Sequence, residues 1–245
     1  MPPATSSSAR PARIRSGIGT ELALSVSAGP ATAPPVASSP SLGSTVSVGV
    51  VSVPGALEPP PTALVANLAY NIAIPLIMTT IAELPSVRRW AVMVQRELGE
   101  RLFAVPSTKA YAAVSVLTQL ACRLEKTRPV PASAFRSRPR VESSFVTFVR
   151  REAAGAGDLG APDAAAATAP GPAEYAAVSR LVRLAFGQRR KTLVNSLGGA
   201  AHAHLTLSRD DVRAALRGLD TSEAARPEEL APPQWLTFAR TVGRA

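Results

Sequence analysis

The feature that most constrains this chain is an alternation of segment types that begins at residue 63. Ala63-Leu64-Val65-Ala66 is a short, continuous apolar run suited to a buried strand. Apolar residues at helical spacing follow from Ile72 to Glu83. Trp90-Ala91-Val92-Met93-Val94 then reads as a second buried strand, with another helix from about Arg96 to Phe103. Strand, helix, strand, helix is the signature of an α/β sheet. Tyr111 to Leu124 and Ser143 to Val149 are further apolar segments, the second read as a strand.

Composition changes sharply on either side of this portion. Residues 1–60 hold ten of the 23 prolines, are crowded with Ser, Ala and Gly, and contain only two acids, Glu21 and Glu58. Such a stretch buries little and reads as low-complexity, with one β-like alternation from Thr45 to Val53. Residues 151–173, rich in Ala, Gly, Pro and Asp, read as a linker. From Glu174 to Leu197 a helix is expected, with Val178, Leu181, Val182, Ala185 and Phe186 on one face and Gly198-Gly199 ending it. A second helix, Arg209 to Arg217, has Ser208 as its N-cap, and Trp235 to Val242 makes a third. The expected organisation is a degenerate or low-complexity region (1–60), an α/β portion (61–150), a linker (151–173) and a small all-helical domain (174–245).

The net charge of +10 and a pI near 11.1 favour a polyanionic partner. Cys122 is the only cysteine, which excludes an intrachain disulfide and a Cys-based zinc site and fits a reducing cytoplasm. His202 and His204 lack a nearby third ligand and read as exposed loop residues, so no metal is expected. No run approaches the roughly 18 apolar residues of a membrane span. Arg10, Arg13 and Arg15 precede no continuous apolar segment, which argues against a secretory signal.

The sharpest motif is Asn67-Leu68-Ala69-Tyr70-Asn71-Ile72, directly after the first expected strand. Ligands bind at the carboxyl ends of strands in open α/β sheets. An Asn there can accept hydrogen bonds from an exocyclic amine, and an aromatic three residues on can stack on a base. Those are the needs of an enzyme that modifies a flipped adenine. The ordinary reading is an Asn that caps the next helix.

Further blocks follow in order. They are Met93-Val94-Gln95-Arg96-Glu97-Leu98 with Arg101-Leu102, then Ser107-Thr108-Lys109-Ala110-Tyr111 with Ser115-Val116-Leu117. Next come Val130-Pro131-Ala132-Ser133-Ala134-Phe135 with Pro139-Arg140-Val141-Glu142-Ser143. Last are Phe186-Gly187-Gln188-Arg189-Arg190-Lys191-Thr192-Leu193 with Asn195-Ser196-Leu197, and a tail of Arg226, Glu228, Glu229 and Leu230. From about residue 62 to 240 the chain resembles the rRNA adenine-N(6) dimethyltransferases, whose motif reads N-L-P-Y-N-I at the first block.

The resemblance implies a class I S-adenosylmethionine-dependent methyltransferase-like (Rossmann-like) sheet, incomplete or divergent on its N-terminal side, plus the helical domain. It implies a monomer that dimethylates two adjacent adenosines near the 3′ end of small-subunit rRNA, with a role in 30S biogenesis. Asn67 would orient the target amine, and Tyr70 and Phe135 would sandwich the base. Arg180, Arg183, Arg189, Arg190 and Lys191 would meet RNA phosphates, although Arg190 or Lys191 would serve equally to join the two units. The match stops at the cofactor half. A glycine loop after a first strand and an acid at the end of the next are expected, yet only Gly17-Ile18-Gly19 is present and no Asp precedes Asp158. Gly17, Gly19 and Asn67 are therefore the candidate S-adenosylmethionine contacts. Ala69 replaces the motif proline. Residues 1–60 are read as a divergent cofactor region, as a truncation or frame artefact, or as the mark of a non-catalytic rRNA-binding assembly factor.

Overall fold

The structure is a computed structural model that describes residues 13–15, 21–23, 60–136, 139, 141–151, 169–199 and 207–243. Two short strands, β1 (Arg13–Arg15) and β2 (Glu21–Ala23), pair antiparallel in a sheet of their own. The main sheet is built from β3 (Ala63–Asn67), β4 (Arg89–Gln95), β5 (Cys122–Val130) and β6 (Ser143–Arg150), in the order β3-β4-β6-β5. β3 and β4 are parallel and joined by α1 (Tyr70–Glu83), as a strand-to-strand crossover requires. β6 runs antiparallel between β4 and β5. The α/β expectation is thus observed, with helix and strand bounds within a residue or two.

Alternation decides which face is buried. Along β4, Trp90, Val92 and Val94 are buried while Arg89, Ala91, Met93 and Gln95 face the other way; in β6 the buried set includes Ser144, Val146 and Phe148. α1, α2 (Arg96–Leu102) and α3 (Ala113–Ala121) all cover this one face. Trp90 stacks on Phe148 at 5.2 Å between ring centroids and donates its indole N–H to Thr80 Oγ1 in α1 at 2.9 Å. The guanidinium of Arg150 lies 5.2 Å from the Trp90 ring and donates to carbonyls at the C-terminal end of α1. α2 approaches the sheet closely because Gly99 has no side chain: a Cβ there would lie 2.4 Å from Ser144 Oγ and 3.0 Å from Val146 Cγ2.

The C-terminal helices are α4 (Pro172–Gly187), α5 (Leu193–Leu197), α6 (Arg209–Arg217) and α7 (Pro232–Val242). The single helix expected from Glu174 to Leu197 is two, broken at residues 188–192, where Thr192 caps α5 by accepting from the Asn195 amide. Ser208 caps α6 as expected, in a reciprocal box with Asp211. These helices share a continuous hydrophobic core with α1 and α3. A run of aromatic contacts, Tyr111–Phe186–Trp235–Phe238, crosses between the two units. The Tyr111 hydroxyl donates to the Leu230 carbonyl at 2.9 Å, and Tyr175 donates to Leu117 at 3.3 Å. Among the described residues no helix is long and apolar enough to cross a membrane.

β5 has no counterpart in the sequence reading. Its residues, Cys-Arg-Leu-Glu-Lys-Thr-Arg-Pro-Val, are exposed from Arg123 to Pro129, so the apolar pattern that marks buried strands is absent from this edge.

The tight packing of α2 generates a test. Gly99→Ala should cost about 1–3 kcal/mol of unfolding free energy by overpacking. Adding Ser144→Ala should recover part of that loss, because it removes the nearest clashing atom. Denaturant melts of both variants measure this; equal melts for Gly99→Ala and wild type would contradict the packing.

Candidate active site

The carboxyl ends of β3 and β4 lie at one rim of the sheet, and the antiparallel ladder brings the β5–β6 connection to the same rim. Asn67 pairs with Met93, Gln95 with Ser143, and Ser143 with Val130, so these strand ends are contiguous. The rim therefore gathers residues 67–70, 95–96, 131 and 142. β5 and β6 are adjacent and antiparallel, and such neighbours need only about two to five residues to connect. Residues 131–142 are far more than the turn requires, and they carry Phe135.

Asn67 is exposed on the last position of β3. The buried Leu68 continues the ladder by donating its amide to the Met93 carbonyl at 2.9 Å. α1 begins only at Tyr70, and its N-cap is Ala69, without a side-chain cap. The reading of Asn67 as a helix cap is therefore excluded, and its side chain is exposed with no hydrogen-bond partner among the described residues. Tyr70 is 59% exposed at the first position of α1, an aromatic ring without a ring partner among the described residues. Phe135 is half-buried and follows a short 3-10 turn at Ala132–Ala134, its amide donating to the Ala132 carbonyl.

The long loop is anchored where it ends. The Arg96 amide donates to the Glu142 carbonyl at 2.9 Å, and the Arg96 guanidinium pairs with both Glu142 and Glu100. Glu100, then Glu142, hold Arg96 firmly in its charged form. Sequence reasoning did not single out this pair; the two residues stand in separate motif blocks and only the β4–β6 register brings them together.

The basic residues of the helical unit divide into two kinds. Arg189 spans to the carbonyls of Thr108 and Lys109 at 3.4–3.5 Å and lies 3.7 Å from Glu228, so it joins the helical unit to the loop before α3. The joining role considered for Arg190 or Lys191 belongs to Arg189. Arg180, Arg183, Arg190 and Lys191 are exposed and form no ion pair among the described residues. Cys122 is buried, and burial pushes its thiol up to about 12, which removes it as a nucleophile at neutral pH.

Gly17, Gly19, His202 and His204 lie outside the described residues. The strands on either side of the glycines, β1 and β2, form an antiparallel ladder from Arg13↔Ala23 to Arg15↔Glu21. A cofactor glycine loop instead leads from a strand into a helix. The carboxylates of α2 and of the loop end joined to it are already engaged: Glu97 with Arg101, Glu100 and Glu142 with Arg96. The described residues thus leave an exposed amide and an exposed ring at the rim and do not by themselves form a cradle for a nucleoside cofactor.

The sheet and its covering helices have a class I methyltransferase-like fold. The solved structures it resembles include a dimethyladenosine transferase from Plasmodium falciparum, with a TM-score of 0.55 and 20% identity over 75% of this chain and 67% of that one. Another is the 23S rRNA methyltransferase ErmE, with a TM-score of 0.51 and 21% identity over 77% and 68%. Residues 58–159 match the ribosomal RNA adenine dimethylase family. A protein of Rubrobacter xylanophilus named ribosomal RNA small subunit methyltransferase A is 38% identical over 188 residues, which is 77% of this chain and 63% of the relative. One of the same name from Kineococcus radiotolerans is 39% identical over 183 residues, 75% and 53%. The match to the dimethylase family is carried by this central segment, residues 58–159, and the chain spans between about half and two thirds of the length of these relatives.

Ala69 stands at φ −65°, the angle that a proline ring imposes, and the first turn of α1 uses the Ala69 carbonyl rather than its amide. Ala69→Pro should therefore stabilise the protein by about 0.4–1 kcal/mol through the unfolded state. A lower unfolding midpoint in a thermal melt would show that the rim loop is shaped differently.

Proposed function

We propose that this protein is an rRNA adenine-N(6) dimethyltransferase that modifies two adjacent adenosines near the 3′ end of small-subunit rRNA and takes part in assembly of the small subunit. It would act as a cytoplasmic monomer, with S-adenosylmethionine as methyl donor. The observation that supports this reading is that Asn67, at the end of β3, and Tyr70, three residues on, are both exposed at a rim whose β5–β6 connection carries Phe135.

The chemistry asked of these residues is positioning. An adenine amine is a weak nucleophile because its lone pair is delocalised into the ring. The Asn67 side-chain oxygen accepts a hydrogen bond from the amine N–H and favours a pyramidal nitrogen, whose lone pair is localised and directed at the methyl donor. Tyr70 and Phe135 hold the unstacked base between two apolar faces, worth about 1–3 kcal/mol per stacked base. No side-chain base is needed, since the alkylated amine is acidic enough to lose its proton to water. The donor, when bound, supplies an electrophilic methyl group; the described residues make only the acceptor side. Arg180, Arg183, Arg190 and Lys191 supply phosphate contacts that orient the RNA without reading its sequence.

The test is methylation of small-subunit particles lacking dimethyladenosine, read as the modified nucleoside after digestion. The wild-type chain should form it. Tyr70→Ala and Phe135→Ala should each lower kcat/KM by about 10–100-fold, as loss of a stacking face predicts, with little change in thermal stability for the exposed Tyr70. Absence of product together with retained RNA binding would make the protein a non-catalytic rRNA-binding factor. Variants as active as wild type would remove the base sandwich.

A further inference from the structure

β5 carries three cations on one face through an irregularity in its ladder. Arg123 pairs with Val149, Lys126 with Thr147 and Arg128 with Phe145. Arg123 and Lys126 are three residues apart and would project from opposite faces of a regular strand. The register shift between Leu124 and Lys126 absorbs one residue, so all three partners, Val149, Thr147 and Phe145, belong to the same face of β6. Glu125, at the shift, is drawn to Arg89 at 3.4 Å. Arg123, Lys126 and Arg128 are exposed and have no ion-pair partner among the described residues.

This face also carries the candidate site. The register row through Arg128 continues to Phe145, Met93 and Asn67 across the whole sheet. The next row joins Lys126, Thr147, Ala91 and Val65. Three strand spacings, about 14 Å, separate Arg128 from Asn67. α1 and α2 pack on the opposite face, against Trp90, Ser144 and Val146. β5 then leads directly into the loop that bears Phe135, followed at once by the exposed Arg136.

We propose that the Arg123–Lys126–Arg128 face of β5, continued by Arg136, is a phosphate track that holds the single-stranded RNA flanking the target base. This rests on RNA being the ligand of the site described above and adds a second contact surface to it, separate from the basic residues of α4. Cations on an edge strand commonly serve only to prevent edge-to-edge pairing. That role is met by charge on either face and gives no reason for the bulge to gather three cations on the face shared with Asn67. The cations along β5 stand about 7 Å apart from one same-face position to the next, a spacing suited to successive phosphates of an extended strand.

The test uses the full chain and a 3′-terminal fragment of small-subunit rRNA, with affinity measured across a range of salt. The triple variant Arg123→Gln, Lys126→Gln, Arg128→Gln should lower the slope of log affinity against log salt by about 2, since each single-strand phosphate contact contributes about 0.7. Arg128→Gln alone should lower it by about 0.7, which keeps the test available should the triple variant fold poorly. An unchanged slope in a folded variant would overturn the track. So would equal competition by polyglutamate at matched charge, which would assign the strip to an acidic protein. Failure of the methyltransferase reading is separate: it appears as absent dimethyladenosine while the slope still falls in the variant. A wild-type chain without affinity for the fragment would overturn both.

Discussion

Arg150, the last residue of β6, places a half-buried guanidinium against the C-terminal end of α1. It donates to the carbonyls of Val87, Ile81 and Leu84 at 2.8–3.1 Å and to Thr80 at 3.4 Å, and it lies over the Trp90 ring. Burial is the main influence on this group and disfavours its charge, so the carbonyls and the ring must compensate the lost hydration. They do so where a helix presents its unpaired carbonyls and the negative end of its dipole. The cation therefore fixes one end of α1 to the sheet, and Tyr70 begins the other end. α1 is thus held to the sheet at the rim opposite the one where Tyr70 begins it.

The rest of the site follows from register. Parallel pairing of β3 with β4 sets Asn67 beside Met93, and antiparallel pairing through β6 places the start of the 131–142 loop at the same rim. Arg96 and Glu142 then join the exit of that loop to the start of α2. Three segments separated by up to about seventy residues meet because the ladder allows no other alignment of the buried faces. The helical unit contributes by packing rather than by reach: its aromatic run and the Tyr111–Leu230 bond make it continuous with α3, and Arg189 reinforces the contact.

The elements legible in the sequence were those with buried faces. β3, β4, β6 and α1 announce themselves by apolar periodicity, and Ser208 announces the start of α6 by its cap chemistry. β5 was hidden because an edge strand carries its charges outward, and the break at residues 188–192 was hidden because both flanking helices share one apolar face. Asn67, Tyr70 and Phe135 could be singled out from motif order, but their shared rim is a property of strand order, which local patterns do not encode. Arg150 gave no signal at all; its role exists only once α1 lies against the sheet.

The central claim is that an unstacked adenine sits between Tyr70 and Phe135 with its amine at Asn67. It is tested most directly by photo-crosslinking small-subunit rRNA that carries 8-azidoadenosine at the target positions and sequencing the labelled peptides. The account predicts attachment within the peptides containing Tyr70 or Phe135. Attachment confined to α4, or to no peptide of the rim, would contradict it.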